Sequence, residues 1–151
     1  SSIKSKELES NAKCSALFHW DKFGLQVRIR GTAIRCADSK NDAYFSSRDL
    51  GSQIGAWASD QSKEIESLEM MDTSYQKIMD KFKINNLVND PEKEIPRPDF
   101  WGGYEIWVGE IELWKNQKNR FHDRLKFTRN ISIENGNIEA DKEWSIIRIQ
   151  P

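Results

Sequence analysis

The last third of the chain is a series of short strand-like segments, and this feature limits the possible folds more than any other. The segments are "WGGYEIWV", "IELW", "RLKFTR" and "WSIIRI". Between the last two, "ENGN" around Asn135 and Gly136 is typical of a tight hairpin turn. Hairpins join antiparallel strands, whereas parallel strands need long crossover connections. The C-terminal third therefore predicts an antiparallel sheet.

The segment "LQVRIRGTAI" adds an earlier strand. Apolar residues at positions 25, 27 and 29 alternate with Gln26, Arg28 and Arg30. A period of two indicates a strand with one buried face. We expect the two arginines, on the opposite face, to be solvated.

Helices are predicted in the first half of the chain. "DSKNDAYFSSRD" begins with a capping-box pattern of Ser39 and Asp42, which predicts a helix over about residues 39–48. Apolar residues from Ile65 to Phe82 recur at helical spacing and predict a second helix that packs on the core. Residues 83–99 contain three prolines and favour a loop. We predict one domain over residues 1–151, mainly β, with helices packed against an antiparallel sheet or barrel.

Composition excludes several classes of function. The 23 Lys and Arg against 24 Asp and Glu leave no global basic field, so nucleic-acid binding is not expected. Long apolar runs and a signal segment are absent from the sequence, which predicts no membrane span and a cytoplasmic protein. Cys14 and Cys36 lack metal-ligand spacing, and the glycines form no nucleotide-binding motif. We expect no metal site.

Three polar residues around the first predicted helix could hold a phosphate. Tyr44 and Arg48 are four residues apart, on one face of that helix, and Ser52 follows. Each donates a hydrogen bond, and arginine adds a full charge. On spacing alone, an exposed arginine and a half-buried tyrosine with no ligand are the commoner situation.

Gln61 and Ser62 are predicted to lie near the N-terminus of the second helix. Free backbone N–H groups and the positive end of the helix dipole favour an anion there. Helix capping alone would also account for Ser62.

The stretch "RFHDR" places Arg120, His122 and Arg124 at alternating positions. If it is a strand, the three side chains form a row on one face, spaced roughly 6 to 7 Å apart. Such a row is favourable only if something anionic or electron-rich faces it. The alternative is a basic strand face in salt bridges with Asp123 or other carboxylates.

Three segments carry a resemblance to a known family: "DAYFSSRDLGSQIGAWASDQS", "RPDFWGGYEIW" and "IELWKNQKNRFHDRLKFTR". They resemble the signature segments of pyridoxamine 5′-phosphate oxidase, also called pyridoxine 5′-phosphate oxidase. The likeness runs from about Ser2 to Pro151. It implies an FMN-binding split β-barrel and a homodimer with its sites between the subunits. Members of the family oxidise pyridoxine or pyridoxamine 5′-phosphate to pyridoxal 5′-phosphate and reduce O₂ to H₂O₂.

The resemblance also implies roles for individual residues. The implied FMN contacts are Lys4, Gln26, Gln61, Ser62, Trp114 and Arg124. The implied substrate contacts are Tyr44, Arg48, Ser52, Arg120 and His122. In this interpretation Arg124 faces the flavin, while Arg120 and His122 are catalytic and orient the substrate and tune its protonation.

The resemblance has two departures from the family pattern. The matching segments begin after the family's first pair of strands, so we expect a barrel without its N-terminal strands. Ile3 stands where the family has a phosphate-binding arginine. We therefore expect weakened FMN binding, or none, by the 151-residue chain. Two alternatives stay open: an FMN-dependent oxidase of another substrate in the same fold, and a non-catalytic fragment that binds flavin or pyridoxal phosphate.

Overall fold

The computed structural model describes residues 2–87, 93–134 and 137–151. Its helices and strands, in chain order, are α1 Ile3–Ser10, β1 Lys13–Trp20, β2 Leu25–Arg35, α2 Asp38–Ser46, α3 Leu50–Ala58, α4 Leu68–Lys81, β3 Tyr104–Lys115, β4 Asp123–Thr128, β5 Ile131–Glu134, β6 Asn137–Ala140 and β7 Ser145–Ile149. Two short 3-10 turns lie at Asp21–Phe23 and Lys118–Arg120. The hairpin turn predicted at Asn135 and Gly136 lies outside the described residues.

The chain divides into two compact units. One consists of Ser1–Lys6 and Arg35–Tyr104, and the other of Glu7–Ile34 and Glu105–Pro151. The single domain expected over residues 1–151 stays a prediction. In the described part of the chain, no helix has the length and apolar character needed to span a bilayer.

The second unit contains a five-stranded sheet in the order β1-β2-β3-β4-β7, and β5 and β6 form a separate pair. The pairs β1–β2, β3–β4 and β4–β7 are antiparallel, as predicted. Two of the predicted segments form a single strand, β3, because the chain stays extended through Val108 and Gly109. Within the described residues the sheet ends at β1 and β7 and is not closed into a barrel.

Strands β2 and β3 approach each other closely at Gly31. A Cβ atom at this position would lie 2.2 Å from the Trp107 carbonyl oxygen, which no side chain can tolerate. Glycine is therefore required here for its lack of a side chain.

The polar face of β2 is paired with carboxylates and is not simply solvated. Arg30 lies 3.4 Å from Glu110, and Arg28 forms an ion pair with Glu112. Lys126 of β4 approaches Glu110 from the other side at 2.7 Å. The prediction that both arginines face only solvent is wrong, because β3 presents acids to both neighbouring strands and opposite charges across strands attract.

Helices and loops make up most of the first unit. Its buried core consists of Phe45, Leu50, Ile54, Ile84 and Ile95. Helix α3 begins at an N-cap, Asp49, whose carboxylate accepts a hydrogen bond from the backbone N–H of Ser52 at 2.8 Å.

The first predicted helix is confirmed as α2, but its capping box is wrong. The N-cap is Ala37, without a side-chain hydrogen bond. Asp42 accepts instead from Arg97 at 2.6 Å, so its carboxylate does not reach back to the helix start.

The second predicted helix is confirmed only in part. Helix α4 begins at Leu68, and its last turns pack Tyr75, Ile78 and Met79 against the core. The earlier residues of the pattern are not core: Ile65 is 49% exposed and Leu68 is 75% exposed. In the predicted loop, the described residues 83–87 and 93–99 form neither helix nor strand, as expected.

Shortening Ile54 tests the core of the first unit. Ile54 is fully buried, so we expect Ile54→Ala to lower the free energy of unfolding by about 2 to 5 kcal/mol through lost burial and a cavity. Urea denaturation measures this. Leu68→Ala removes a similar volume from an exposed site and should change stability by less than about 0.5 kcal/mol. Equal effects of the two substitutions would contradict the described core.

Glu110→Gln tests the ion pairs of the sheet. The hydrogen bond from Lys126 lowers the pKa of Glu110 below its ordinary value of 4.5. A lowered pKa means that the charged carboxylate stabilises the fold above that ordinary value, and that this contribution is lost as pH falls through the folded-state pKa. The wild-type chain should therefore be more stable than Glu110→Gln near pH 7, and the difference should shrink below pH 4.5. A difference that does not vary with pH would show that the pairing is unimportant.

Candidate functional site

Tyr44 and Arg48 meet on the ring of Trp101. The Tyr44 ring stacks on it, with centroids 5.9 Å apart and planes inclined by 28°. The Arg48 guanidinium carbon lies 5.4 Å from the indole centroid. Helix α2 ends at Ser46, so Arg48 is not on the same helix face as Tyr44. The indole brings together two residues that the helix alone does not.

Arg97 holds Trp101 in place. Its Nη1 donates to the Trp101 carbonyl at 2.6 Å, and its other nitrogens bind Asp42 at 2.6 Å and Asp38 at 3.0 Å. The hydrogen bond to Asp42 raises the pKa of Arg97, so this cation is permanent. The Phe45 ring packs edge-on against Trp101 at 5.2 Å. Arg97 therefore ties the Trp101 segment to the start of α2.

Ser52, the third predicted phosphate ligand, is engaged with Asp49. Hydrogen bonds from the Ser52 side chain and backbone lower the pKa of Asp49, so a charged carboxylate lies beside the predicted phosphate ligands. Gln53 links α3 to Arg48, since its Nε2 donates to the Arg48 carbonyl at 2.8 Å. Its Oε1 is buried, and in the described residues it has no hydrogen-bond partner.

Gln61 and Ser62 do not lie at a helix N-terminus. They form an exposed turn between α3 and α4, and α4 begins only at Leu68 with Ser67 as its N-cap. Ser62 has a φ of 68°, in the left-handed region that a helix start cannot use. The predicted helix-dipole site is wrong at these residues. Lys4, also implied as an FMN contact, is exposed on α1.

The predicted basic row on one strand face is also wrong. The register pairs Lys115 of β3 with Asp123 of β4, so residues 116–122 form the connection between the strands. Asn119 and Arg120 have φ values of 57° and 64°, which turn the chain. Only Arg124 of the three basic residues lies in a strand.

His122 is held against Trp114 by this connection. The two ring centroids are 4.6 Å apart, and the planes are inclined by 36°. The backbone N–H of Gln117 donates to His122 Nδ1 at 3.3 Å. An imidazole that accepts a hydrogen bond at Nδ1 carries its proton on Nε2, so Nε2 is the donor atom of His122.

Arg124 is bound to a buried acid. Its Nε and Nη2 donate to Glu112 Oε1 at 2.9 and 2.6 Å, and its Nη1 donates to the Gln150 carbonyl at 2.9 Å. Glu112 is 5% exposed and is also bound by Arg28. For Arg124 the alternative of a salt bridge to a carboxylate is confirmed, with Glu112 as the partner. Asp123 pairs instead with Arg148 at 3.0 Å.

Three of the implied FMN contacts share one end of the sheet. Side chains alternate along a strand, so Gln26 lies on the same face as Arg28, and Trp114 on the same face as Glu112. The N–H of Asn116 donates to the Gly24 carbonyl at 2.7 Å, which sets the end of β3 beside the start of β2. Arg124 is paired in register with Trp114. Gln26, Trp114 and Arg124 therefore form one polar and aromatic surface, called the sheet-end site below.

Glu112 and Trp101 contact the predicted site residues but were not themselves predicted from the sequence. Glu112 could have been found, because it is in phase with Trp114 in "IELW" and a charged residue on a packed face calls for a partner. Trp101 lies in the segment "RPDFWGGYEIW". Local spacing could not show what its ring contacts, since Tyr44, Phe45 and Arg48 lie more than fifty positions earlier in the chain.

Comparison with known families gives two matches. The profile described as "Pyridoxamine 5'-phosphate oxidase" matches residues 1–81. The profile described as "Pyridoxine 5'-phosphate oxidase C-terminal dimerisation region" matches residues 101–151.

Curated relatives match over nearly the whole chain. The pyridoxine/pyridoxamine 5′-phosphate oxidase of Rubrobacter xylanophilus is 38% identical over 148 residues, which are 98% of this chain and 60% of the relative. That of a Psychrobacter species is 39% identical over 152 residues, covering 99% of this chain and 63% of the relative. The chain thus spans less than two thirds of the length of these relatives.

Solved structures agree on the fold. PhzG from Burkholderia lata, solved with tetrahydrophenazine-1-carboxylic acid, has a TM-score of 0.77 and 26% identity and covers 99% of this chain and 64% of that one. A pyridoxamine 5′-phosphate oxidase-related, FMN binding protein from Nostoc punctiforme has a TM-score of 0.63 at 12% identity, over 99% and 69% of the two chains. The predicted fold class is confirmed. On these matches, the chain belongs to the pyridoxamine 5′-phosphate oxidase family.

Proposed function

We propose that this chain is part of an FMN-dependent oxidase that converts pyridoxine or pyridoxamine 5′-phosphate to pyridoxal 5′-phosphate with O₂ as the electron acceptor. The main support for the proposal is the sheet-end site, where Gln26, Trp114 and Arg124 lie at one end of the sheet. Family membership supports FMN as the cofactor, and the Nostoc structure is itself described as an FMN binding protein.

The donor set of the sheet-end site fits a flavin ring. The pyrimidine part of a flavin presents carbonyl oxygens and a ring N–H, which match the Arg124 guanidinium and the Gln26 amide. Arg28 Nε adds a buried N–H without a hydrogen-bond partner in the described part of the chain, the type of orphan that a ligand or water satisfies. When bound, FMN supplies the two-electron redox chemistry. The positive charge of Arg124 favours negative charge on the ring.

Lys4, Gln61 and Ser62, the other implied FMN contacts, belong to the first unit. We keep them as proposed contacts on the strength of the family resemblance. The helix-terminus argument for Gln61 and Ser62 no longer supports them, because both lie in a turn.

Tyr44, Arg48 and Ser52 are the proposed ligands of the substrate phosphate. Trp101 fixes the first two, so little side-chain entropy is lost when they bind. The charge of Asp49 offsets that of Arg48, so hydrogen bonds from the phenol and hydroxyl must contribute to phosphate binding. The PhzG structure holds a carboxylic acid, and an oxidase of a substrate without phosphate is the second candidate function.

Arg120 and His122 are proposed to act on the substrate ring. His122 presents Nε2–H as a donor, and its contact with Trp114 fixes the ring plane. Its role is to orient the substrate and to hold a proton at Nε2. Arg120 adds a cation on the same connection between β3 and β4.

A homodimer is the proposed assembly, with its sites between the subunits. The profile over residues 101–151 is described as a dimerisation region. Strand β7 in that range exposes Ile146 and Ile147 by 58% and 52%. Exposed apolar side chains on a sheet favour burial against a partner. A cytoplasmic location also stays a proposal.

Replacing Arg48 tests the phosphate ligands. We expect Arg48→Gln to weaken binding of pyridoxal 5′-phosphate roughly 10- to 100-fold, because a charge-assisted hydrogen bond is lost. Binding of pyridoxal, which lacks the phosphate, should not change. Calorimetric titration of both ligands measures this, and Arg35→Gln, at an exposed arginine that ends β2, is the matched control.

Turnover tests the reaction itself. The FMN-loaded chain is given pyridoxine 5′-phosphate or pyridoxine, and H₂O₂ release is recorded. We expect oxidation of pyridoxine 5′-phosphate, and we expect Arg48→Gln to raise the KM for this substrate. If Arg48→Gln weakens the binding of pyridoxal 5′-phosphate and of pyridoxal equally, the second candidate function is favoured. Oxidation of pyridoxine as fast as its phosphate ester would favour it too.

A further inference from the structure

Glu112 is a buried carboxylate shared by two arginines. It lies on the central strand β3, and its partners come from the strands on either side, Arg28 from β2 and Arg124 from β4. Its side chain is only 6% exposed. A buried carboxylate is retained only when its charge is compensated, and here two cations compensate it.

Glu110 repeats this pattern one step along the same strand face. It pairs with Arg30 and Lys126, and its side chain is 18% exposed. The two acids have the same charge, the same strand and the same orientation. They differ in one respect that matters here: Glu112 holds Arg124, and Glu110 does not.

The position and the effective charge of Arg124 therefore depend on Glu112. Two of its nitrogens donate to one oxygen of Glu112, and a third donates to a backbone carbonyl. Arg28 competes for the same carboxylate, so it determines how much of the negative charge falls on Arg124.

We propose that Glu112 is a positioning residue that fixes Arg124 at the sheet-end site and, by partly neutralising it, lowers the reduction potential of bound FMN. The inference rests on the proposed function, because it requires FMN at that site. A flavin gains negative charge on reduction, so a nearby cation favours the reduced form, and a carboxylate bound to that cation opposes it.

The test compares the affinities of the chain for oxidised and reduced FMN, measured by anaerobic titration; their ratio gives the shift in potential on binding. We expect Glu112→Gln to favour reduced FMN about tenfold more than the wild type does, the order expected for loss of one nearby charge in a partly buried site. Glu110→Gln, the matched control, should change the ratio less than about twofold, because Arg30 and Lys126 are not in the sheet-end site.

A background lacking Arg124 shows whether Glu112 acts through it. In Arg124→Met, Glu112→Gln should change the ratio clearly less than it does in the wild type, since the part of its effect that depends on the position of Arg124 is gone and only the direct field of the Glu112 charge remains. If Glu112 acted only through global stability, the effect of Glu112→Gln on the ratio would be as large in Arg124→Met as in the wild type.

Arg28→Met gives a second variant in case Glu112→Gln does not fold. It leaves Glu112 to Arg124 alone, so the ratio should move in the opposite direction and favour oxidised FMN. Arg30→Met is its control, and the ratio should stay close to that of the wild type.

The outcomes separate the two proposals. Of the two outcomes expected for the 151-residue chain, the inference requires weakened FMN binding. No FMN binding by the wild-type chain would refute the flavin assignment, and this inference with it. FMN binding with equal ratios in Glu112→Gln and Glu110→Gln would overturn the inference alone. So would an effect of Glu112→Gln on the ratio that is as large in Arg124→Met as in the wild type. Where only the Arg28 and Arg30 variants fold, equal ratios in those two would overturn it in the same way.

Discussion

The buried carboxylate of Glu112 is the interaction on which the second unit depends. It joins β2, β3 and β4 through two arginines, and it does so at the end of the sheet where Gln26 and Trp114 lie. Buried ion pairs are costly to desolvate and contribute little net stability compared with apolar packing. Their presence in a sheet is better explained by what they fix in space, which here is the guanidinium of Arg124.

Trp101 has a comparable role in the first unit. Its indole contacts Tyr44, Phe45 and Arg48, and its own backbone is held by Arg97. Both units thus use a fixed group to orient an arginine: an acid orients Arg124, and an aromatic ring orients Arg48. Pre-orientation of this type removes part of the entropy cost of ligand binding.

The sequence predicted element types better than it predicted the geometry of side chains. Strands such as "RLKFTR" and "WSIIRI" were predicted as short strand-like runs. Helix α2 was also predicted, although from a capping box that the structure does not form. The row of Arg120, His122 and Arg124 failed because alternation in five residues cannot reveal that Asn119 and Arg120 turn the chain. Both residues lie in the connection between β3 and β4, next to the pair Lys115 and Asp123.

The same reasoning explains the errors at Ser62 and at the β2 arginines. A helical pattern from Ile65 onward does not locate the N-terminus of the helix to within one helical turn. Helix α4 starts later than the apolar spacing indicates. Arg28 and Arg30 pair with acids that are some eighty positions away in the chain. Family resemblance grouped Gln26, Trp114 and Arg124 among the implied FMN contacts, which local pattern could not do, and the structure brings these three to one end of the sheet.

Hydrogen exchange of backbone amides with and without FMN tests the central claim most directly, namely that the sheet-end site receives the flavin. We expect slower exchange on FMN addition at the start of β2, the end of β3 and the start of β4. The β5–β6 pair, in the same unit, should exchange at an unchanged rate. Protection that leaves residues around Gln26, Trp114 and Arg124 unaffected while other parts of the unit slow down would contradict it.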